Sequence, residues 1–111
     1  MGEIWSHSSD VSAMHPFGGR MGGWEEVGYT WEQAAQAFSG GQVALDDMVV
    51  GPISEDAAYT LGTEHGQGSI GEQTVRIEWR ATNVYRREAD GWKIVHHHTD
   101  FSPEVAQALA M

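Results

Sequence analysis

Alternating apolar and polar positions near the C-terminus predict a β-hairpin. β-Branched and aromatic residues favour one strand around Thr74–Arg87 and a returning strand at Trp92–Asp100. The segment EADG between them is typical of a turn, because Asp-Gly readily adopts the positive φ angles that close a hairpin. The period of two places Trp92, Ile94, His96, His98 and Asp100 on one face of the second strand, and Lys93, Val95, His97 and Thr99 on the other. Since both faces carry polar groups, we expect at least one of them to line a pocket or an interface.

An apolar stripe with helical spacing predicts a helix over Trp24–Ser39. The stripe consists of Trp24, Val27, Trp31, Ala34, Ala35 and Phe38. Glu25 and Glu26 lie in the first turn, where they favour the helix dipole, and Gly40-Gly41 ends the helix. We expect the stripe to face the core.

Shorter apolar runs, separated by Gly and Pro, predict the remaining strands. These strands are Val11–Met14, a second short strand or bend that leads to Gly22-Gly23, Gln42–Val50 and Asp56–Glu64. A turn is predicted at His15–Gly19, a break at Gly51-Pro52 and a loop at His65–Gly68. A strand pair, a helix and then a run of strands is typical of an α+β domain with an antiparallel sheet wrapped on the helix. With 111 residues, the chain has the size of a single domain, residues 1–111.

Charge and composition narrow the range of partners. Sixteen acidic residues against six Lys and Arg give a formal net charge of −10, which argues against binding to nucleic acids or to anionic membranes. The chain has no Cys, so neither a disulfide framework nor thiol chemistry is expected. We see no signal peptide and no apolar run near the ~18 residues of a membrane span, and we expect a cytoplasmic protein. No P-loop, dinucleotide-binding or Ser-His-Asp motif is present, and no cofactor is expected.

Three segments carry a resemblance to a known family. VYRREADGWKIVHHHTD resembles the closing hairpin of SnoaL-like proteins, in the nuclear transport factor 2-like (ketosteroid isomerase-like) superfamily. SHSSDVSAMHPFGGRMGGWEEV resembles the first hairpin and helix start of that family, and Glu55–Tyr59 extends the resemblance over nearly all of the chain. The resemblance implies a cystatin-like fold: a cone-shaped, strongly bent antiparallel sheet wrapped around a helix. It also implies a small hydrophobic molecule as partner and a homodimer joined through its sheets. The long first helix of the family has no counterpart in this sequence, so we expect an N-terminally short domain.

His15 is the first candidate catalytic residue. It stands in HPFGG, where the resemblance to ketosteroid isomerases places an Asp that moves the proton as a base. An imidazole can serve as a general base because its ordinary pKa lies near neutrality. The alternative is a turn histidine bonded to the backbone.

Asn83 and His98 are candidate catalytic partners of that base. The resemblance places Asn83 where the isomerases hold a protonated Asp in the oxyanion hole, and an amide NH₂ can donate a hydrogen bond to a developing oxyanion. The alternative is a strand Asn that pairs with a cross-strand neighbour. In the isomerases the Tyr of the oxyanion hole lies on the first helix. Since this sequence has no counterpart of that helix, true ketosteroid isomerase activity is not expected here.

Glu64, Trp79 and Asp100 are candidate ligand-binding residues. The resemblance places Glu64 where the related kinase association domain has a pocket Arg, and a buried Glu can act as an acid or a base. The alternative for Glu64 is a solvent-facing strand end. Trp79 is four positions from Asn83, so the two are expected to share a face with Trp79 as a pocket wall.

The pattern His96-x-His98 with Asp100 superficially resembles a metal site, because imidazoles two positions apart on a strand can share an ion. The spacing alone is a weak motif, and a site needs a third converging ligand. We expect no metal here, and cavity lining or hydrogen bonding at a dimer face instead.

The sequence leaves two function classes open. One is a small-molecule-binding domain, or an acid–base enzyme of isomerase, cyclase or hydrolase type, that acts on a hydrophobic substrate in a conical cavity. The other is a non-catalytic dimerisation or accessory module of the same fold. The two classes differ in whether His15, Glu64, Asn83 and His98 converge on one cavity.

Overall fold

Six strands and two helices follow one another in this computed structural model, which describes residues 4–109 and leaves out the side chains of residues 39–42. In chain order the elements are β1 (Ser12–His15), β2 (Gly18–Gly22), α1 (Trp24–Ala37), β3 (Phe38–Ser54), β4 (Ala57–Ile70), β5 (Gln73–Glu88), β6 (Gly91–Thr99) and α2 (Pro103–Leu109). Helix α1 ends two residues earlier than predicted, because Phe38 already has extended backbone angles (φ −88°, ψ 138°) and begins β3.

The strands form one open sheet in the order β2-β1-β6-β5-β4-β3. Neighbouring strands are antiparallel, except that β1 runs parallel to β6, with Ser12 opposite His96 and Met14 opposite His98. The predicted α+β class is confirmed, with a mixed sheet. The parallel pair places the end of β1, and the turn that follows it, beside the centre of the sheet.

A β-bulge in the closing hairpin changes which residues share a face. Tyr85 lies opposite Ile94 and Val84 lies opposite His96, so β6 has one extra residue between these pairs. Ile94 and His97 therefore point to the same side of the sheet. The prediction that Ile94 shares a face with His96 was wrong, because a bulge shifts the period of two by one residue.

β3 and β4 are longer than predicted, because their pairing continues across the positions predicted as breaks. β3 runs through Gly51-Pro52, which is tolerated because β3 is an edge strand. β4 runs through the predicted loop His65–Gly68, where it pairs with β3 on one side and β5 on the other. A Cβ on Gly51 would collide with the ring of Tyr59 on the opposite strand, so this glycine permits close cross-strand packing and does not make a turn.

Two hydrophobic clusters hold the helices on the sheet. Their buried members are Trp5, Val11, Ala13, Val27 and Ile94 near α1, and Val75, Ile77, Trp79, Val105 and Ala108 near α2. Helix α2 was not predicted, because its seven residues are too few to show a helical period. Trp31 packs on the first cluster and Phe38 on the second. α1 therefore leads from one cluster towards the other.

The N-terminal segment is bound to the closing hairpin. The Ser6 N–H donates to the Ile94 carbonyl at 2.9 Å, and the Ile94 N–H donates to the Ile4 carbonyl at 2.7 Å. Arg86 on β5 fixes the same segment through an ion pair with Asp10 at 2.7 Å and a hydrogen bond to the Ser6 hydroxyl at 3.3 Å. The ion pair holds the pKa of Asp10 well below its usual range. The first residues of the described chain thus pack on one of its last strands.

Candidate functional site

A cleft of about 260 Å³ opens between α1, the β1–β2 turn and one face of the sheet. Its walls are mainly apolar and aromatic, formed by Pro16, Phe17, Trp31, Ala34, Ala35, Phe38 and Trp79. The polar side chains that line it are His15, Glu64, His97 and Thr99. A concave, largely apolar surface with a few polar groups is the usual form of a small-molecule site, and the pockets of drug-sized ligands measure about 300–1,000 Å³. This cleft therefore fits a molecule smaller than those.

His15 lies at the end of β1 and faces the cleft. Its side chain is only 5% exposed, and its Nε2 atom has no hydrogen-bond partner among the described residues. The ring stacks on Phe17 with centroids 4.7 Å apart and leans on Trp31 at 5.5 Å. Burial lowers the pKa of His15 below its ordinary value, so the imidazole is neutral at neutral pH. A neutral imidazole in a cleft can accept a proton from a ligand.

Glu64 and Trp79 form one hydrogen-bonded wall of the cleft. They are opposite each other on β4 and β5, and the Trp79 Nε1–H donates to Glu64 Oε1 at 2.8 Å. This bond satisfies the indole of a residue that is only 7% exposed. It also fixes the orientation of the Glu64 side chain, whose second oxygen, Oε2, can accept a hydrogen bond from a ligand.

His97 on β6 faces the cleft and was not among the predicted site residues. The bulge after Ile94 places it on the face towards α1, where Trp31 meets its ring edge-on at 5.2 Å. Its Nδ1 atom lies 2.6 Å from Oδ1 of Asn83, the residue opposite on β5. Burial, followed by the repulsion of His15 and the neighbouring histidines, lowers the pKa of His97 to about 4.

The cleft brings together three of the predicted site residues, His15, Glu64 and Trp79. Asn83 does not line the cleft and reaches it only through its bond to His97. The alternative prediction for Asn83, a strand residue bonded to a cross-strand neighbour, agrees with its contact with His97 on β6.

His98 and Asp100 lie elsewhere. They line a separate open depression of about 450 Å³, because adjacent strand residues point to opposite faces of a sheet. Asp100 is held there by Arg80, which donates from Nε at 2.8 Å and from a terminal nitrogen at 3.0 Å. Arg80 lowers the pKa of Asp100 and keeps this carboxyl ionised. Neither His98 nor Asp100 contacts the cleft around His15.

The profile of the SnoaL-like domain matches residues 1–102. The chain belongs to the SnoaL-like domain family. This membership confirms the predicted family, and the α+β sheet of the SnoaL-like domain agrees with it. No curated protein matches the chain.

Solved structures resemble the SnoaL-like domain over most of its length. A candidate dehydratase of the NTF2-like family from Streptomyces avermitilis is 32% identical with a TM-score of 0.74, over 83% of this chain and 65% of that chain. A candidate calcium/calmodulin-dependent protein kinase type II association domain from Thiobacillus denitrificans is 30% identical with a TM-score of 0.65. The match covers 90% of this chain and 78% of that chain. A nuclear transport factor 2-like superfamily protein from Salmonella enterica is 23% identical with a TM-score of 0.77. The match covers 89% of this chain and 72% of that chain. The chain thus spans 65% of the length of the Streptomyces protein. One fold hosts many activities, so these likenesses establish the fold, while the profile match over residues 1–102 establishes the family.

Within residues 4–109 of the SnoaL-like domain, no three His, Asp or Glu side chains are grouped so that they can hold a metal ion. His96 and His98 have ring centroids 6.2 Å apart, and the Ser12 hydroxyl binds His96 Nδ1 at 2.7 Å. None of the described helices is both long and apolar enough to cross a bilayer. A cytoplasmic location stays a prediction from the sequence.

Proposed function

We propose that this SnoaL-like domain binds a small hydrophobic molecule in the cleft and acts on it by acid–base chemistry, with His15 as the proton acceptor. The observation that carries the proposal concerns His15, which lines the cleft and whose buried Nε2 atom has no hydrogen-bond partner among the described residues. A buried nitrogen without a partner costs about 1–3 kcal/mol. A ligand with a hydrogen-bond donor offsets that cost when it enters.

The other polar groups of the cleft suit this chemistry. The Glu64 carboxylate lies on the opposite wall, fixed by Trp79, and can hold a donor group of the ligand or relay its proton. The aromatic walls make the surroundings less polar than water, which strengthens electrostatic interactions inside the cleft. The Streptomyces relative is named as a candidate dehydratase, and dehydration belongs with isomerisation, cyclisation and hydrolysis among the acid–base reactions that this site suits.

A binding test on the purified domain checks the proposal. Tryptophan fluorescence and thermal melts with a panel of small neutral aromatic and alicyclic compounds should reveal ligands, because Trp31 and Trp79 line the cleft. Ala34→Phe adds a ring inside the cleft and should abolish the response. Gln33→Phe adds the same ring at an exposed position of α1 and should leave the response intact. A response that survives Ala34→Phe would place the binding site elsewhere.

A second candidate function is a non-catalytic dimerisation or accessory module. It is favoured by large apolar side chains exposed along β3, such as Val50 (63% exposed) and Ile53 (59%). Exposed apolar surface of this kind marks interaction sites. The Thiobacillus relative is named as a candidate kinase association domain. A domain that self-associates, yet binds no compound in the cleft, would favour this second function over the first.

A further inference from the structure

The contact between Asn83 and His97 bears on which nitrogen of the His97 ring carries the proton. Asn83 Oδ1 is an amide carbonyl oxygen and can only accept a hydrogen bond. His97 Nδ1 lies 2.6 Å from it, and this contact is a hydrogen bond when Nδ1 carries the proton of the neutral ring. The other ring nitrogen, Nε2, then has a free lone pair.

We propose that Asn83 is a positioning residue, which holds His97 as a hydrogen-bond acceptor towards the cleft and thereby selects neutral ligands that carry a donor such as a hydroxyl group. The proposal deepens the proposed function and rests on it, because it assumes that the cleft is the binding site.

The surroundings of His97 favour its neutral form. His15 from β1 and Glu64 from β4 line the same cleft, and His96 and His98 flank it along β6. Its ring is buried, and the three histidines oppose a further positive charge, which together lower its pKa. The aromatic edge contact comes from Trp31 of α1. The imidazole therefore presents a lone pair, and not a second N–H, at neutral pH.

The charges of the cleft disfavour an anionic ligand. None of the described residues that line it is a Lys or an Arg, and Glu64 contributes a carboxylate. An anion in a site with mostly apolar walls and no cation would lose its hydration without compensation. A hydroxyl group, in contrast, can donate its proton in a hydrogen bond to His97 Nε2 or to Glu64.

The position of the proton can be measured on the ligand-free protein. Two-bond nitrogen–proton correlation spectra of histidine labelled with ¹⁵N, at neutral pH, should show His97 with the proton on Nδ1. The signals of His97 are assigned by their loss in His97→Gln. A His97 that carries its proton on Nε2 would overturn the proposal, because its lone pair would then face Asn83.

Asn83→Asp tests whether this residue controls His97. A carboxylate in place of the amide should raise the pKa of His97, because it stabilises the imidazolium. Thr82→Asp is the matched control, since it adds the same charge one residue earlier on β5, opposite His98 and on the other face. It should shift the pKa of His97 much less. Equal shifts in both variants, or none in Asn83→Asp while its circular dichroism stays native, would refute the positioning role.

Three probes of similar shape test the ligand class: 2-naphthol, naphthalene and 2-naphthoate. Tryptophan fluorescence titrations should give 2-naphthol an affinity about three- to tenfold higher than naphthalene, the worth of one net hydrogen bond, with 2-naphthoate the weakest. His97→Phe, which keeps an aromatic ring without the acceptor, should reduce the preference for 2-naphthol over naphthalene.

The outcomes separate the two proposals. If the probes bind the wild type without a preference for 2-naphthol, or if His97→Phe keeps the full preference, the proposed ligand class is wrong. The proposal that the cleft binds a small molecule is then retained. If none of the three probes binds, the proposed function and the ligand class both fail. The spectra of the ligand-free protein then still decide whether Asn83 positions His97.

Discussion

His15 combines two properties that oppose each other in a folded protein. Its side chain is 5% exposed, yet Nε2 has no hydrogen-bond partner among the described residues. Contacts with Phe17 and Trp31 hold the ring in place, so packing stabilises a group whose buried nitrogen is destabilising. Polar groups that are buried at such a cost are typical of binding and catalytic sites.

Replacing His15 by Phe should separate binding from stability. Phe retains the ring and its aromatic contacts but has no nitrogen to desolvate, so the free energy of unfolding should stay equal or rise by about 1 kcal/mol. His15→Phe should no longer respond to ligands of the cleft, because it lacks the imidazole nitrogen that accepts a hydrogen bond. Urea unfolding measures the first quantity, and fluorescence titration measures the second.

The exposed His65 on β4 offers a control for this experiment. His65→Phe removes an imidazole outside the cleft and should leave ligand binding unchanged. If His15→Phe instead lowers the free energy of unfolding by more than about 2 kcal/mol and still binds ligands, the imidazole serves the fold of the turn and not the site.

Burial of His97 makes the stability of the domain depend on pH. Its pKa in the folded state is about 4, below the ordinary histidine value of 6.5. The unfolded chain therefore binds a proton at pH values where the folded state does not, so the free energy of unfolding falls as the pH drops from 6.5 towards about 4. This single group accounts for a loss of about 3 kcal/mol over that window. Urea unfolding at a series of pH values measures the loss.

Two Gln variants locate the origin of this acid sensitivity. His97→Gln should lose less stability on acidification, because Gln does not titrate but can still donate to Asn83. His98→Gln should lose nearly as much as the wild type, since it leaves His97 in place and burial is the largest cause of the lowered pKa of His97. Equal losses in the wild type and in His97→Gln would show that another group is responsible.

At the scale of elements, those with the strongest sequence signals were predictable. The stripe from Trp24 to Phe38 predicted α1 to within two residues, and Asp90-Gly91 predicted the turn between β5 and β6. The parallel pairing of β1 with β6 was not predictable, because it joins segments far apart in the sequence. The extension of β4 through Gly66 and Gly68 was missed, because local glycine signals favour a loop and pairing on both sides outweighs them.

The candidate site was predictable only in part, for a related reason. The family resemblance selected His15 and Glu64, and the strand spacing from Asn83 selected Trp79; the structure places all three in one cleft. His97 was missed, because strict alternation from Trp92 treats all polar positions of β6 alike and does not show which face meets the helix. Only the pairing of β6 with β1 and β5 reveals that His97 points towards α1.

The N-terminal segment should depend on Arg86 for its attachment to β5. Arg86 contacts Asp10, Ser6 and Glu88, so Arg86→Gln should speed amide hydrogen exchange at Ser6, whose N–H donates to Ile94. The reason is that local opening of this segment would break fewer contacts. Exchange measured by nuclear magnetic resonance gives the rate at Ser6.

Arg87 provides the matched control for this experiment. It is the next residue on β5 and pairs with Asp56, away from the N-terminal segment. Arg87→Gln should leave exchange at Ser6 unchanged. If Arg86→Gln leaves it unchanged as well, the backbone bonds to β6 hold the segment without the ion pair.

At the scale of the whole molecule, the apolar surface of β3 predicts self-association. Its exposed side chains include Val43, Leu45, Met48, Val49, Val50 and Ile53. β3 is also an edge strand with one unpaired side. We expect a dimer in light scattering at micromolar concentration, because covering this surface removes apolar area from water.

Two Lys variants test which surface is used. Val50→Lys places a charge on the exposed apolar surface of β3 and should shift the protein towards the mass of a monomer. Tyr29→Lys places the same charge on α1, at a residue that is 66% exposed, and should leave the dimer intact. A wild type with the mass of a monomer would refute the predicted dimer.

The parallel pair of β1 and β6 has a consequence for how the chain reaches this structure. Ser12 and His96 are 84 positions apart, so β1 leaves the ribosome long before its partner strand is made. Until β6 emerges, the aromatic and apolar side chains of Trp5, Val11 and Ala13 lack the Ile94 side of their core. Closing so large a loop is slow, and transiently exposed apolar segments are prone to aggregate. Protection of the nascent N-terminus by a chaperone should therefore matter more for this fold than for one built from local contacts.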